Sequence, residues 1–84
     1  MLYPVYCIRD VQVGFNNPMT DINDNTAKRN FTYAINNNSE MNFSAKDYDL
    51  YRVGEFDTSK GRLIPLEVPE LIVTGQSVLG ADIK

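Results

Sequence analysis

The chain has 84 residues, the length of one domain. A chain this size can bury about 60% of the surface it exposes when extended, enough for one thin core and too little for a core plus a deep catalytic cleft. With net charge −3, no histidine, no tryptophan and one cysteine, the composition excludes a disulfide framework, a Cys/His zinc site and histidine-based acid–base chemistry.

Residues 2–8 (Leu-Tyr-Pro-Val-Tyr-Cys-Ile) are aromatic and β-branched and predict a strand closed by Arg9-Asp10. Pro4 lacks an amide donor, which suits a sheet edge or a strand start. Gly14, Asn16-Asn17 and Pro18 mark residues 10–20 as a loop. Within it Val11 and Val13 alternate with polar residues, as a short strand turning back on the first would. Residues 24–36 predict a helix, because Ala27, Phe31, Ala34 and Ile35 fall on one apolar stripe. Asn23 is the expected N-cap, and Asp24 complements the positive end of the helix dipole. Asn36-Asn37-Asn38 should stop the helix, since asparagine tolerates a left-handed C′ position. The polar face carries Asn25, Lys28, Arg29 and Thr32. So narrow a stripe is marginal alone and needs a sheet to pack on.

Residues 39–46 are expected to form a connecting loop. Tyr48–Phe56 then alternates as a strand, with Tyr51 and Val53 on one face and Leu50, Arg52 and Phe56 on the other. Asp57–Gly61 predicts a hairpin turn with Gly61 at positive φ. Arg62–Leu66 returns, and Pro65 makes it an edge. A further apolar run, Leu71-Ile72-Val73, opens a C-terminal tail, residues 71–84, that adds an edge strand, docks on a neighbouring subunit or frays. The expected architecture is a single α+β domain over residues 1–70: a small antiparallel sheet of three to five strands with one helix packed on one face. The other face would be bare in a monomer, and its aromatics make it a ligand surface or a dimer interface.

Few constellations carry chemistry. Asp21-Ile22-Asn23-Asp24-Asn25 resembles the opening of a calcium loop. Its sixth position is Thr26 where the turn needs glycine, and its twelfth is Thr32 where the ion needs a bidentate glutamate, so a helix cap is the better reading. The pairs Asp47/Asp49 and Glu55/Asp57 share a strand face, but no pocket is evident that would split their roles into acid and base. Cys7 has no histidine to activate it and reads as a small core residue. The five glycines show no phosphate-cradling spacing. No catalytic residue, cofactor or metal ion is expected, and an enzyme is the least favoured class. No signal peptide and no apolar run of about 18 residues is evident, so the expected location is cytoplasmic, with no membrane partner.

The remaining signal is cations beside aromatics. Arg9 lies near Tyr3 and Tyr6, Lys28 and Arg29 near Tyr33, and Lys46 and Arg52 near Phe43, Tyr48 and Tyr51. Such groups can neutralise phosphates and stack unpaired bases. Against this, strand tyrosines mostly serve cores or interfaces, and helix cations mostly form a solvated face. The acidic balance also argues against a large phosphate footprint.

The linear order is more specific. Tyr3-Pro4-Val5-Tyr6 is followed by a glycine-containing loop and Pro18. Asn23-Asp24-x-x-Ala27-Lys28-Arg29-x-Phe31 then opens the helix, Asp47-Tyr48-Asp49-Leu50-Tyr51-Arg52-Val53-Gly54-Glu55-Phe56-Asp57 follows, and Gly61-x-Leu63-x-Pro65 closes the pattern. This order resembles the small non-structural protein of gokushoviruses, the microvirus group of single-stranded DNA phages, over roughly residues 3 to 70. The resemblance implies a non-enzymatic phage protein that binds single-stranded DNA in the cytoplasm of the infected bacterial host, in the switch between genome replication and packaging. Arg29, Phe31, Tyr48, Tyr51 and Gly54 match the shared pattern. Phe31 is then expected in the core and Gly54 at a bulge or close approach. Lys28, Arg29, Arg52 and Arg9 are the expected phosphate contacts, with Tyr48, Tyr51 and Tyr6 as stacking platforms. The expected partners are single-stranded phage DNA and replication proteins, and further copies of the chain in a dimer or larger homo-oligomer, which would pool several weak sites and cover the bare sheet face and edges. The alternative is a protein–protein module that modulates a host or phage replication or assembly factor, which suits the acidic surface.

Overall fold

The structure, a computed structural model, describes residues 1–80. Its sheet is α+β in context and wholly antiparallel, built from β1 (Leu2–Asp10), β2 (Gly14–Phe15), β3 (Met19–Thr20), β4 (Tyr48–Asp57) and β5 (Arg62–Thr74). The order is β2-β1-β4-β5. Because β4 takes one edge of β1 from Leu2 to Asp10, the short β2 and β3 share the other, opposite Arg9–Asp10 and Val5–Tyr6. The strand that turns back is therefore Gly14–Phe15. Val11–Val13, expected to be extended, form the turn instead, and Gly14 takes the positive φ (125°) that ends it.

The long helix, α1 (Asp24–Asn37), starts where its cap predicts. Asn23 is extended, and its side chain accepts a hydrogen bond from the Thr26 amide at 2.8 Å. Its end differs from expectation. Asn38 is extended (φ −104°), not left-handed, and no non-glycine residue among those described has a positive φ. The Asn38 side chain instead accepts from the Glu40 and Met41 amides, at 3.0 and 3.1 Å, and so caps a second helix, α2 (Ser39–Phe43). A 3-10 turn, Ala45–Asp47, leads into β4. The loop expected over 39–46 is thus mostly helical, because one asparagine ends one helix while starting the next.

The β4–β5 hairpin turns at Gly61 (φ 64°), whose amide bonds to the Asp57 carbonyl at 2.8 Å. β5 is the edge strand that Pro65 implied. Gly54 sits at both of the features expected of it. A Cβ there would lie 2.5 Å from the Ile64 carbonyl oxygen, and the register slips beside it on both sides: Val5 pairs with Gly54 and Tyr6 with Arg52, leaving Val53 as the extra residue. The extra residue reverses the inward–outward alternation for the rest of β4. Phe56, expected on the face of Leu50 and Arg52, consequently pairs with Tyr3 on the opposite face, while Glu55 joins Arg52.

The core lies between sheet and helix, from Tyr6, Ala27, Phe31, Ile35, Ala45 and Leu50. Phe31 occupies the core position expected of it. The chain beyond residue 70 belongs to this assembly as far as it is described. β5 runs without a break to Thr74, and Ile72, Val73 and Val78 pack against the core, the last from a short helix, α3 (Gly75–Val78). The Asn36 side chain ties that end down, donating to the Val78 carbonyl at 2.9 Å and accepting from the Gly80 amide at 2.6 Å. Of the tail expected over 71–84, residues 81–84 lie outside the described residues. The molecule is a slab, 40 × 30 × 16 Å, with helices over one broad sheet face.

Candidate functional site

The sheet divides the sequence-predicted site residues between its two faces. On the covered face, Tyr6 is 1% exposed and packs with Phe31 and Leu50. Its hydroxyl donates to the Asp24 carboxylate at the first turn of α1. Burial first, then the bond to Asp24, push the Tyr6 pKa well above the ordinary tyrosine value. Arg52 sits in the neighbouring position across the β1–β4 ladder. One guanidinium nitrogen lies 3.6 Å from Asp24 and the other 3.4 Å from Glu55, while its Nε is buried without a partner. Four side chains from three elements thus close the N-terminal end of α1 onto the sheet. Tyr6 has no ring face to offer a base, and Arg52 is already held by two carboxylates. The strand alternation turns both under the helix, away from the face that carries Arg9 and Tyr51.

Tyr48 is half-buried against the same core and offers little ring surface. Lys28 and Arg29 are exposed on α1, away from its buried Ala27, Phe31 and Ile35. They do not meet the predicted strand tyrosines on a common surface.

The open face carries a different set. Tyr3, Val5, Cys7 and Arg9 alternate along β1 opposite Phe56, Gly54, Tyr51 and Asp49 of β4. At one end of this face Arg9 stands between Phe15 of β2 and Asp49 of β4. The Phe15 and Tyr51 rings meet edge to face, centroids 5.4 Å apart at 70°. Cys7 is buried in this region, and desolvation pushes its thiol pKa upward, which keeps the unreactive protonated form. Of the predicted contacts, then, Arg9 and Tyr51 share a surface. Phe15 completes it and was missed, because a two-residue strand leaves no alternation to read; the one available signal was an aromatic directly after a turn glycine. At the other end of the open face, Val5, Pro18, Val53, Leu63 and Pro65 line an apolar groove of about 360 Å³.

A second crevice, about 280 Å³, opens between α1 and the β1–β3 edge, walled by Ile8, Met19, Phe31 and Ala34. At its rim Asn30 donates to Asp21 at 2.9 Å, so the polar groups there satisfy each other. The Asp21–Asn25 segment serves as the helix cap already described. Among the described residues, no three cysteine, aspartate or glutamate side chains gather as metal ligands would. No helix among them is long and apolar enough to cross a membrane.

The chain belongs to a family of phage proteins: the family model described as "Phage ORF5 protein" matches residues 3–78. That span takes in β1 from Tyr3 onward, the other four strands, α1, α2, α3 and both ends of the open face. No curated protein and no solved structure matches the chain.

Proposed function

We propose that this phage protein binds single-stranded DNA without catalysing a reaction, as the gokushovirus non-structural protein, in the host cytoplasm at the switch between genome replication and packaging. The observation that carries the reading is the open-face cluster of Arg9 beside the Phe15–Tyr51 pair. Phe15 is about half exposed, and an unpaired base has two faces with which to stack on such a ring. Arg9 makes no ion pair among the described residues and is free to meet the adjoining phosphate. So small a cationic contribution implies weak binding with shallow salt dependence, consistent with the net charge of −3. With one or two phosphates neutralised per copy, raising salt from about 20 to 200 mM weakens binding about 5- to 25-fold. Fluorescence anisotropy of a labelled oligonucleotide tests this. Absence of binding at about 20 mM salt, where the electrostatic contribution is largest, overturns the DNA reading.

The second reading, a protein–protein module for a replication or assembly factor, is favoured by the apolar groove at the far end of the same face. It predicts no oligonucleotide binding at any salt concentration, and a purified protein partner whose binding survives nuclease treatment.

A further inference from the structure

We propose that the strand held at the Arg9 end continues along β1 to the hairpin end of the same face, so that one copy takes a run of about four nucleotides, with a second base on Phe56 and a second phosphate at Lys60. The inference rests on the single-stranded DNA reading and adds to it a path and a length.

Spacing supports it first. On the open face Tyr3 pairs with Phe56, Cys7 with Tyr51 and Arg9 with Phe15, in that order along β1. At about 3.3 Å per residue, the Tyr3 row lies about 13 Å from the Cys7 row and about 20 Å from the Arg9 row. Stacked nucleotides step about 3.4 Å along a strand and extended ones about twice that, so three extended steps join the two ends of the face.

Shape supports it next. Val5, Pro18, Phe56 and Leu63 line an open hollow of about 560 Å³ whose walls hold no charged side chain. Leu63, 65% exposed, stands opposite Phe56 on β5 and borders the hollow. Between the hollow and the Phe15–Tyr51 pair the face is low, because Gly54 has no side chain and Val5 and Cys7 are buried.

Charge sets the path. The chain has 11 acidic residues, yet the open-face positions of β1 and β4 from the Tyr3 row to the Cys7 row carry none. Glu55, which borders the adjoining groove, has its carboxylate 3.4 Å from an Arg52 guanidinium nitrogen. Beyond Phe56 the hairpin presents Lys60, exposed and without an ion pair among the described residues. The Asp57 carboxylate beside it accepts from the Ser59 and Lys60 amides, at 2.9 and 3.3 Å. A polyanion crossing this face meets a cation at each end and no carboxylate between them.

NMR titration of the whole chain with a thymidine dinucleotide and a thymidine pentanucleotide tests the path. The pentanucleotide should bind about 5- to 150-fold tighter, the gain from one more stacked base. Its log–log salt slope should be about −1.4, against about −0.7 for the dinucleotide, as one more phosphate is neutralised. Phe56→Leu should remove most of the affinity gain, and Lys60→Ala, in an exposed turn, should return the slope to about −0.7. Neither should change dinucleotide binding, and Lys28→Ala on α1 should change nothing. Equal affinity for the two lengths overturns the path and leaves the Arg9 site standing. So does a length gain that survives both variants. Absence of binding by either oligonucleotide overturns the DNA reading and the path together.

Discussion

Two arginines and two tyrosines from neighbouring strands show what separates the faces of this sheet. Arg52 and Tyr6 point under α1, where Asp24 and Glu55 meet them and the ring is buried. Arg9 and Tyr51 point the other way, where Phe15 is the neighbour and the guanidinium has no ion pair among the described residues. Residue type is the same on both faces, and burial assigns the role. On the covered face cation and aromatic close the domain; on the open face they remain available to a ligand.

The sharpest way to test that contrast is to truncate matched aromatics. Phe31→Ala removes a buried ring from beneath the helix and should cost about 3–5 kcal/mol of unfolding free energy in urea titration, close to all the stability a domain this small has. Tyr51→Ala on the open face should cost about 1 kcal/mol, the size of one edge-to-face aromatic pair. Equal costs would erase the distinction between the faces.

Gly54→Ala comes next, at about 1–3 kcal/mol, because the new methyl meets the Ile64 carbonyl oxygen in a backbone that has little room to move. Thermal melts would read it, and since Gly54 sets the bulge, any surviving fold should show a disturbed Phe56 environment.

Tyr6→Phe removes one hydrogen bond to a carboxylate and should cost about 1.5 kcal/mol at neutral pH. Its pH dependence carries a sign. The folded state raises the Tyr6 pKa, so it holds the phenolic proton more tightly than the unfolded chain does. That contribution is fully present below the unfolded value of about 10 and is lost as pH rises beyond it. Wild type should therefore lose stability more steeply than Tyr6→Phe above about pH 10, and parallel profiles would contradict the assignment.

Arg9→Ala should have the smallest effect on stability, within about 0.5 kcal/mol, as a cation with no ion pair among the described residues. Oligonucleotide affinity should nevertheless fall severalfold, whereas Arg52→Lys, on the covered face, should leave it unchanged. The reverse ranking would move the binding surface to the helix side.

Much of this fold is legible in the sequence wherever a period runs uninterrupted. The Ala27–Phe31–Ile35 stripe with its Asn23 cap marks α1, and the alternation from Leu2 and from Tyr48 marks the two long strands. What escapes is everything that depends on a break in period. The bulge at Val53 sends Phe56 to the open face, and a pattern read without it puts Phe56 under the helix. The four-residue stretch Leu66–Pro69, between Pro65 and Glu70 of β5, has no matched alternation with β4, so the strand looks as though it ends at Leu66. α2 has no apolar stripe and exists because Asn38 caps it. For the candidate site, the residue types were visible but the faces were not. Tyr6 and Arg52 match a stacking platform and a phosphate contact in every respect except where the chain places them, and Phe15 gains its partner Tyr51 only once β2 folds back on β1.

The central claim is that the open sheet face, at its Arg9 end, receives single-stranded DNA. Backbone amide shift mapping of the isotopically labelled protein against a short thymidine oligonucleotide tests it most directly. The account predicts that the perturbed amides cluster at Arg9, Phe15 and Tyr51, with Lys28 and Arg29 unmoved. Perturbation centred on Lys28 and Arg29, or none at low salt, would contradict it.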